Sequence, residues 1–471
     1  MDAMLHETTI RGLRGAIAAG QLTCAEVARW HLDRIAAHDQ QGVTLNAFVS
    51  VNPDAEAEAC ARDRELASGV PAGLLCGVPI VIKDNIDVAG LPTTGGCAAL
   101  RDLRPTEDAA VVRRLREAGA VILGKTNMSE FAWGGDDTIG SALPGFTRNP
   151  YDTAYGCGGS SGGSAVAISA NLAVAGLGTD TACSVRAPAA INALVGLRPT
   201  WGLVSCAGIM PMNADWDTVG PLARTVDDAA ILLDAMVGDD WPEAASGVFG
   251  EDAPPRIGVL RNVILECDTD TEVLAAFEAA MEAFRQAGAR VTDPITVAAQ
   301  LHFDGSMWYR RFRHDLDGYL RAHGPCSPHA NLASILRSGQ VHPYYIDFLA
   351  ELSAIQERPS DNPFLADMDR IQAEIRTALL QAMDHAELDA LAFPTLSHPP
   401  RRNGDLLAPS GSNNAIASCA GFPALSLPMG FTQKGLPLGL QLLGRPWSER
   451  RLLRIGGFFE AVTQHRYAPP V

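Results

Sequence analysis

Residues 156–165 read GCGGSSGGSA, five glycines and three serines in ten positions. Backbone this permissive does not belong inside a helix or a strand, and a segment without charge is not a solvated linker. It has to be a packed turn held by regular elements around it. Those elements are legible on both sides. Downstream, "SAVAISAN" is a small-residue helix suited to close packing, and "LAVAGLG" is a buried strand. "TDTACSVR" is then a turn and "APAAINALVG" a second helix with Pro188 near its start.

Upstream, the apolar run "IVIKDN" reads as a buried strand ending in Lys83. A helix beginning near Thr106, "EDAAVVRRLREAG", stops at Gly119 before the strand "AVILG". Strand, helix and strand at this spacing argue for α/β layering. Thr23 and Glu26 form a capping box that opens an N-terminal amphipathic helix. After a soft stretch rich in Asp, Glu, Gly and Pro (239–255), the best candidate boundary, "RIGVL" and a helix over 271–287 restart the pattern. Residues 301–360 are mostly helical and aromatic, and a last helix falls near 449–463.

Charge narrows the partners. There are 54 Asp and Glu against 37 Lys and Arg, a formal −17 without any long basic run, so a phosphate backbone would be repelled. The ten cysteines are scattered with no C-x-x-C pair, and read as reduced thiols of a cytoplasmic protein. The N-terminus lacks a basic-then-apolar leader, and the longest small-apolar run, 165–177, is too short to span a bilayer.

Three motif readings compete for the glycine-rich region. Gly119 to Thr126 matches a phosphate-loop pattern literally, but its four variable residues, Ala-Val-Ile-Leu, are the strand itself where the motif needs a turn. The loop at 156–163 can cradle an anion at a helix start, yet no Lys or Arg lies between Arg148 and Arg186 to neutralise one. Gly158 to Gly162 fits the nucleophile-elbow pattern around Ser160. That pattern needs a strand before it and a histidine base; "NPYDTAYGC" is turn-like, and no histidine occurs between His38 and His302.

Ser184 has the better placement, between the strand "LAVAGLG" and the following helix, where a turn can aim backbone N–H groups into one small volume. Its proton acceptor can be Lys83, the odd charge in an apolar strand, since burial favours the neutral amine. Singly, Lys83 reads as a strand-end lysine reaching water and Ser184 as an N-cap.

Together with their surroundings they point further. "GVPIVIKDN", "GKTNMSEFA", "TRNPYD", "GGSSGGSA", "GTDTACSVRAPAA", "VGLRPTWG" and "DTVGPLARTVDDAA", followed by "FPALSLPMGF" and "GLPLGLQLLGRP", resemble the amidase signature family over nearly the whole chain. The resemblance implies one α/β/α domain spanning 1–471, a large mixed β-sheet flanked by helices. Its catalytic core covers about 60–235, with a variable, mostly helical pocket region at about 300–385.

It also implies a Ser–cis-Ser–Lys triad with Ser184 as nucleophile, Ser160 as bridging serine behind a cis peptide bond, and Lys83 as base. Backbone N–H groups of Thr181, Ala182, Cys183 and Ser184 would hold the oxyanion. Ser161 would support the site, and Asp180 with Arg186 would brace the turn. Substrate would be bound from Met128, Trp133, Gly134 and Gly135 onward to Ile139, with the 301–320 and 413–419 segments completing the pocket.

The implied activity is cleavage of the C–N acyl bond of a small amide, anilide or carbamate through an acyl-enzyme, with no metal and no organic cofactor. Partners are a small amide or carbamate substrate and at most a second copy of the chain, with neither nucleic acid nor membrane. Three rivals stay open: a glutamine amidotransferase subunit feeding ammonia to a partner, a Ser-His-Asp esterase, and a non-catalytic relative serving as a binding or scaffold protein. The sequence departs from the family pattern at Ala182-Cys183, where Gly-Gly is usual, and at Cys157, where proline is frequent. If those glycines require positive φ, the turn differs here.

Overall fold

The computed structural model describes residues 1–134, 140, 146–238, 245–247, 253–266, 269–297, 301, 309–405 and 415–471. Gly135, most of the 239–255 boundary stretch, residues 302–308 and residues 413–414 lie outside the described residues.

Among the described residues eleven strands form one mixed sheet: β1 (Phe48–Val51), β2 (Pro79–Lys83), β3 (Val121–Thr126), β4 (Ala175–Asp180), β5 (Val195–Arg198), β6 (Thr218–Ala223), β7 (Arg256–Val259), β8 (Arg290–Thr292), β9 (Ala390–Pro394), β10 (Ala424–Phe431) and β11 (Pro437–Leu443). Their spatial order is β1-β3-β2-β4-β6-β5-β10-β11-β9-β7-β8. The protein is therefore α/β, a large mixed sheet flanked by helices. Parallel strands covered on both faces should be apolar throughout, not alternating. β2 and β4 are buried at every residue and apolar up to their C-terminal ends, where Lys83, Thr179 and Asp180 are the polar exceptions.

This topology positions the site. β2 lies between β3 and β4 and runs parallel to both. Ile82 pairs with Leu177, so the C-terminal ends of β2 and β4 emerge at the same edge, where open α/β sheets leave a crevice for ligands. β6 runs antiparallel to β4 with Asp180 opposite Thr218, which brings the start of β6 to that edge as well.

Several expected elements differ in extent. The helix expected from Thr106 covers Ala110–Glu117. The helix expected over 187–196 is Arg186–Ala190, and 195–196 already belong to β5. Asn192 ends it: its amide donates to the Pro188 carbonyl and to the Cys157 carbonyl, 2.7 Å each, and Ala193 follows with φ 50°. The capping box stands as expected, with Thr23 and Glu26 bonding each other's backbone N–H.

Candidate active site

Lys83 is the last residue of β2 and is completely buried, so it does not reach water as a strand-end lysine would. Its Nζ lies 2.6 Å from Ser160 Oγ, 2.8 Å from Thr179 Oγ1 and 3.4 Å from the Thr179 carbonyl. Among the described residues no carboxylate forms an ion pair with it. Burial pushes its ammonium down to about 7, against the opposing pull of Asp180, Asp217 and Cys183. A lysine in this state can accept a proton at neutral pH.

Ser160 enters from the glycine-rich loop, which precedes the helix Gly162–Ser169, and its peptide bond to Gly159 is cis. Two glycines, Gly158 in the loop and Gly163 in the first turn of the helix, are obligatory. Gly158 has φ +72°, and a Cβ there would stand 2.9 Å from Ile191 Cδ1. A Cβ on Gly163 would be 2.5 Å from the backbone of both Ala47 and Asn127. The absence of side chains thus lets the loop press onto the β3 exit and the 188–191 segment, which holds Ser160 over Lys83.

Ser184 sits in the turn after β4, 5% exposed. The Ser161 N–H donates to the Ser184 carbonyl at 3.2 Å, and the Ser161 hydroxyl donates to the Thr179 carbonyl at 3.3 Å. Lys83, Ser160, Ser161 and Ser184 are thereby brought together, although they stand as far as 101 positions apart in the chain (83 to 184). Neither Ala182 nor Cys183 has a positive φ, so the turn accommodates them without the conformation that favours glycine.

Asp180 organises the turn from inside. Arg186 reaches it through Nε at 3.2 Å and Nη2 at 3.1 Å, Arg198 reaches it through Nη1 at 3.0 Å, and the Val185 N–H donates to it at 3.1 Å. All three side chains are fully buried. Burial pushes the carboxyl up, but the two guanidinium groups outweigh it and hold Asp180 well below the usual carboxylate range. Arg186 also donates to Gln441 on β11 at 2.7 Å and to Ser418 at 3.1 Å, tying the turn to the far half of the sheet.

The 128–134 segment lies against the same loop, since the Ser129 N–H donates to the Ser160 carbonyl at 3.3 Å. Met128 and Trp133 are buried and Gly134 is exposed. Phe131 and Ala132 take left-handed φ of 51° and 65°, turning the chain sharply beside the site. Trp133 packs edge-on against Tyr309, Phe312 and Phe348, with centroids 4.8–5.2 Å apart, and its carbonyl accepts the Tyr345 hydroxyl at 2.6 Å. The helical segments that carry these aromatic residues are anchored on this wall.

Other readings find less support. Lys125 of the phosphate-loop look-alike is buried on β3, 3.4 Å from Asp84, with bonds to the Pro92 carbonyl and Thr93. Among the described residues no histidine hydrogen-bonds to Ser160, Ser161 or Ser184; His302 lies outside them. Thr179, Arg198, Asp217, Ser418 and Gln441 were not singled out by sequence. Four of them do sit in recognisable motifs, Thr179 in "GTDTACSVRAPAA", Arg198 in "VGLRPTWG", Asp217 at the head of "DTVGP" and Gln441 in "GLPLGLQLLGRP".

Comparison with known proteins identifies the family and the fold. The family model described as Amidase matches residues 26–453. The chain is 33% identical to a glutamyl-tRNA(Gln) amidotransferase subunit of Synechococcus elongatus, covering 98% of this chain and 99% of the relative. The peptide amidase of Stenotrophomonas maltophilia has a similar structure, with TM-score 0.87, 36% identity and 98% of each chain covered. A bacterial aryl acylamidase described as an amidase signature enzyme, at 22% identity, shares the fold with TM-score 0.81 over 97% of this chain and 96% of its own. With its family model matched over most of its length, the chain belongs to the amidase signature family.

Proposed function

We propose that the protein hydrolyses the C–N acyl bond of a small amide, anilide or carbamate through a Lys83–Ser160–Ser184 triad and an acyl-enzyme. The observation that carries this reading is the buried Lys83 amine 2.6 Å from Ser160 Oγ, with no carboxylate paired to it among the described residues. Neutral Lys83 takes the Ser160 proton as Ser160 takes that of Ser184, and Ser184 Oγ attacks the substrate carbonyl carbon. Charge develops on the carbonyl oxygen, and the N–H groups of Thr181, Ala182, Cys183 and Ser184 receive it. Ser160 returns the proton to the leaving nitrogen, and water then releases the acid.

Ser184→Ala should cut turnover by several orders of magnitude while leaving the fold intact. A serine-directed fluorophosphonate should label Ser184 in the parent and nothing in the variant. Near-parental rates in Ser184→Ala would sink the assignment. Screening aryl amides, aliphatic amides, esters and carbamates on the purified chain then ranks the substrate classes.

A second reading, an amidotransferase component that supplies ammonia to a partner, draws on the relatives carrying that name. That branch commonly has a glutamine after the motif arginine, where this chain has Ala187 after Arg186. Hydrolysis of simple amides by the isolated chain speaks for the first reading. Turnover appearing only with partner subunits speaks for the second.

A further inference from the structure

Asp217 stands one residue before β6 and is 5% exposed. The β4–β6 ladder reaches its end at the pair Asp180–Thr218. One residue further out, side chains continue it: Thr181 Oγ1 donates to Asp217 Oδ1 at 2.5 Å. The other carboxylate oxygen accepts the Met212 N–H at 2.9 Å and the Asn213 N–H at 3.1 Å. The Asp217 N–H closes the loop onto the Asn213 carbonyl at 2.9 Å. A buried carboxylate with three converging donors therefore holds the first residue of the turn that carries Ser184.

We propose that Asp217 is a positioning residue for the reaction, fixing the 181–184 turn through Thr181 and holding its carboxylate at the edge of the sheet where β4 ends. The inference rests on the Lys83–Ser160–Ser184 reading above. A loop cap alone would need only the Met212 and Asn213 bonds; the bond to Thr181 points the second oxygen at the site. Electrostatics agrees, because Asp217, with Asp180 and Cys183 from the β4 turn, opposes the downward push of burial on Lys83. Asp217 is itself pushed up to about 6 by burial, with Asp315 adding to the rise and the bonds from Thr181, Asn213 and Met212 resisting it. Arg198 and Cys206 also feel its charge. Around the Lys83 midpoint, near 7, Asp217 is thus mostly ionised and its charge is felt.

Asp217→Asn is nearly isosteric. Its amide oxygen can keep the Met212 and Asn213 bonds while its NH2 donates to Thr181 Oγ1, so charge is lost and packing is kept. On an aryl amide, kcat should fall about 10–100-fold with KM changing less. The acid limb of kcat/KM should move to lower pH. Thr181→Val keeps the charge and cuts the link, so kcat should fall while the limb moves less than in Asp217→Asn.

A purely structural role lowers activity without moving the limb. Loss of turnover in Ser184→Ala together with an unmoved limb in Asp217→Asn overturns this inference alone. Surviving turnover in Ser184→Ala overturns the underlying site reading and this inference with it. Should Asp217→Asn fail to fold, Thr181→Val decides, and an unchanged kcat there overturns the role.

Discussion

Lys83→Met should abolish turnover and yet stabilise the fold at neutral pH. The side chain keeps its length and approximate volume, and the change removes one titrating group from a fully buried position. Burial lowers the lysine from an ordinary 10.5 to about 7, so between those values the unfolded chain holds a proton that the folded chain has released. Falling pH through that window favours unfolding, and stability rises as pH climbs from about 7 to 10.5.

At pH 7 the unfolded lysine is almost fully protonated and the folded one half so, which costs the fold about 4 kcal/mol. At pH 10 the same linkage costs under about 1 kcal/mol. Methionine gives up the bonds to Ser160 and Thr179, leaving buried hydroxyls short of a partner at a cost of about 1–3 kcal/mol. The variant should therefore gain about 1–3 kcal/mol at pH 7 and be less stable than its parent at pH 10. Equilibrium urea unfolding at both pH values reads the two signs directly. A variant less stable at pH 7, or an offset independent of pH, would refute the claim that burial neutralises Lys83.

On a non-ionising amide, kcat/KM should be half-maximal near pH 7, about a tenth at pH 6, and level by roughly pH 8–9. A profile already flat at pH 5 points to a carboxylate base instead. His302→Ala and His314→Ala should keep near-parental rates, and either one matching Ser184→Ala in inactivity would move the assignment to a Ser-His mechanism. Arg186→Met removes one of the two guanidinium groups on buried Asp180 and should cost about 3–5 kcal/mol in urea unfolding at pH 7. A loss under about 1 kcal/mol would show that Arg198 alone satisfies Asp180.

Much of the fold was legible because buried parallel strands announce themselves as unbroken apolar runs. "IVIK" and "AVILG" could be read that way, and reading Ala-Val-Ile-Leu as strand was enough to set aside the phosphate-loop match. Lys83 stood out because a charge at the end of such a run needs an explanation, and Ser160 and Ser184 stood out through their glycine-rich and small-residue turns. Local pattern overran where a long-range contact ended an element: the 187–196 helix stops early because Asn192 reaches back to Cys157, 35 positions away.

The order β3-β2-β4-β6 could not be read from any window of sequence, and that order is what sets the ends of β2 and β4 at one edge of the sheet. Whether Lys83 reaches water or a serine depends on what covers the end of β2. The glycine-rich loop closes over it from 77 positions away, and the resulting burial lowers the Lys83 ammonium to about 7. Arg198 and Asp217 sat in view within recognisable motifs and meant nothing alone. They acquire roles because β5 and β6 bring one guanidinium to Asp180 and one carboxylate to Thr181. Residue types and their turns are local properties of a chain, whereas burial and proximity, which decide protonation and reactivity, come only with tertiary structure.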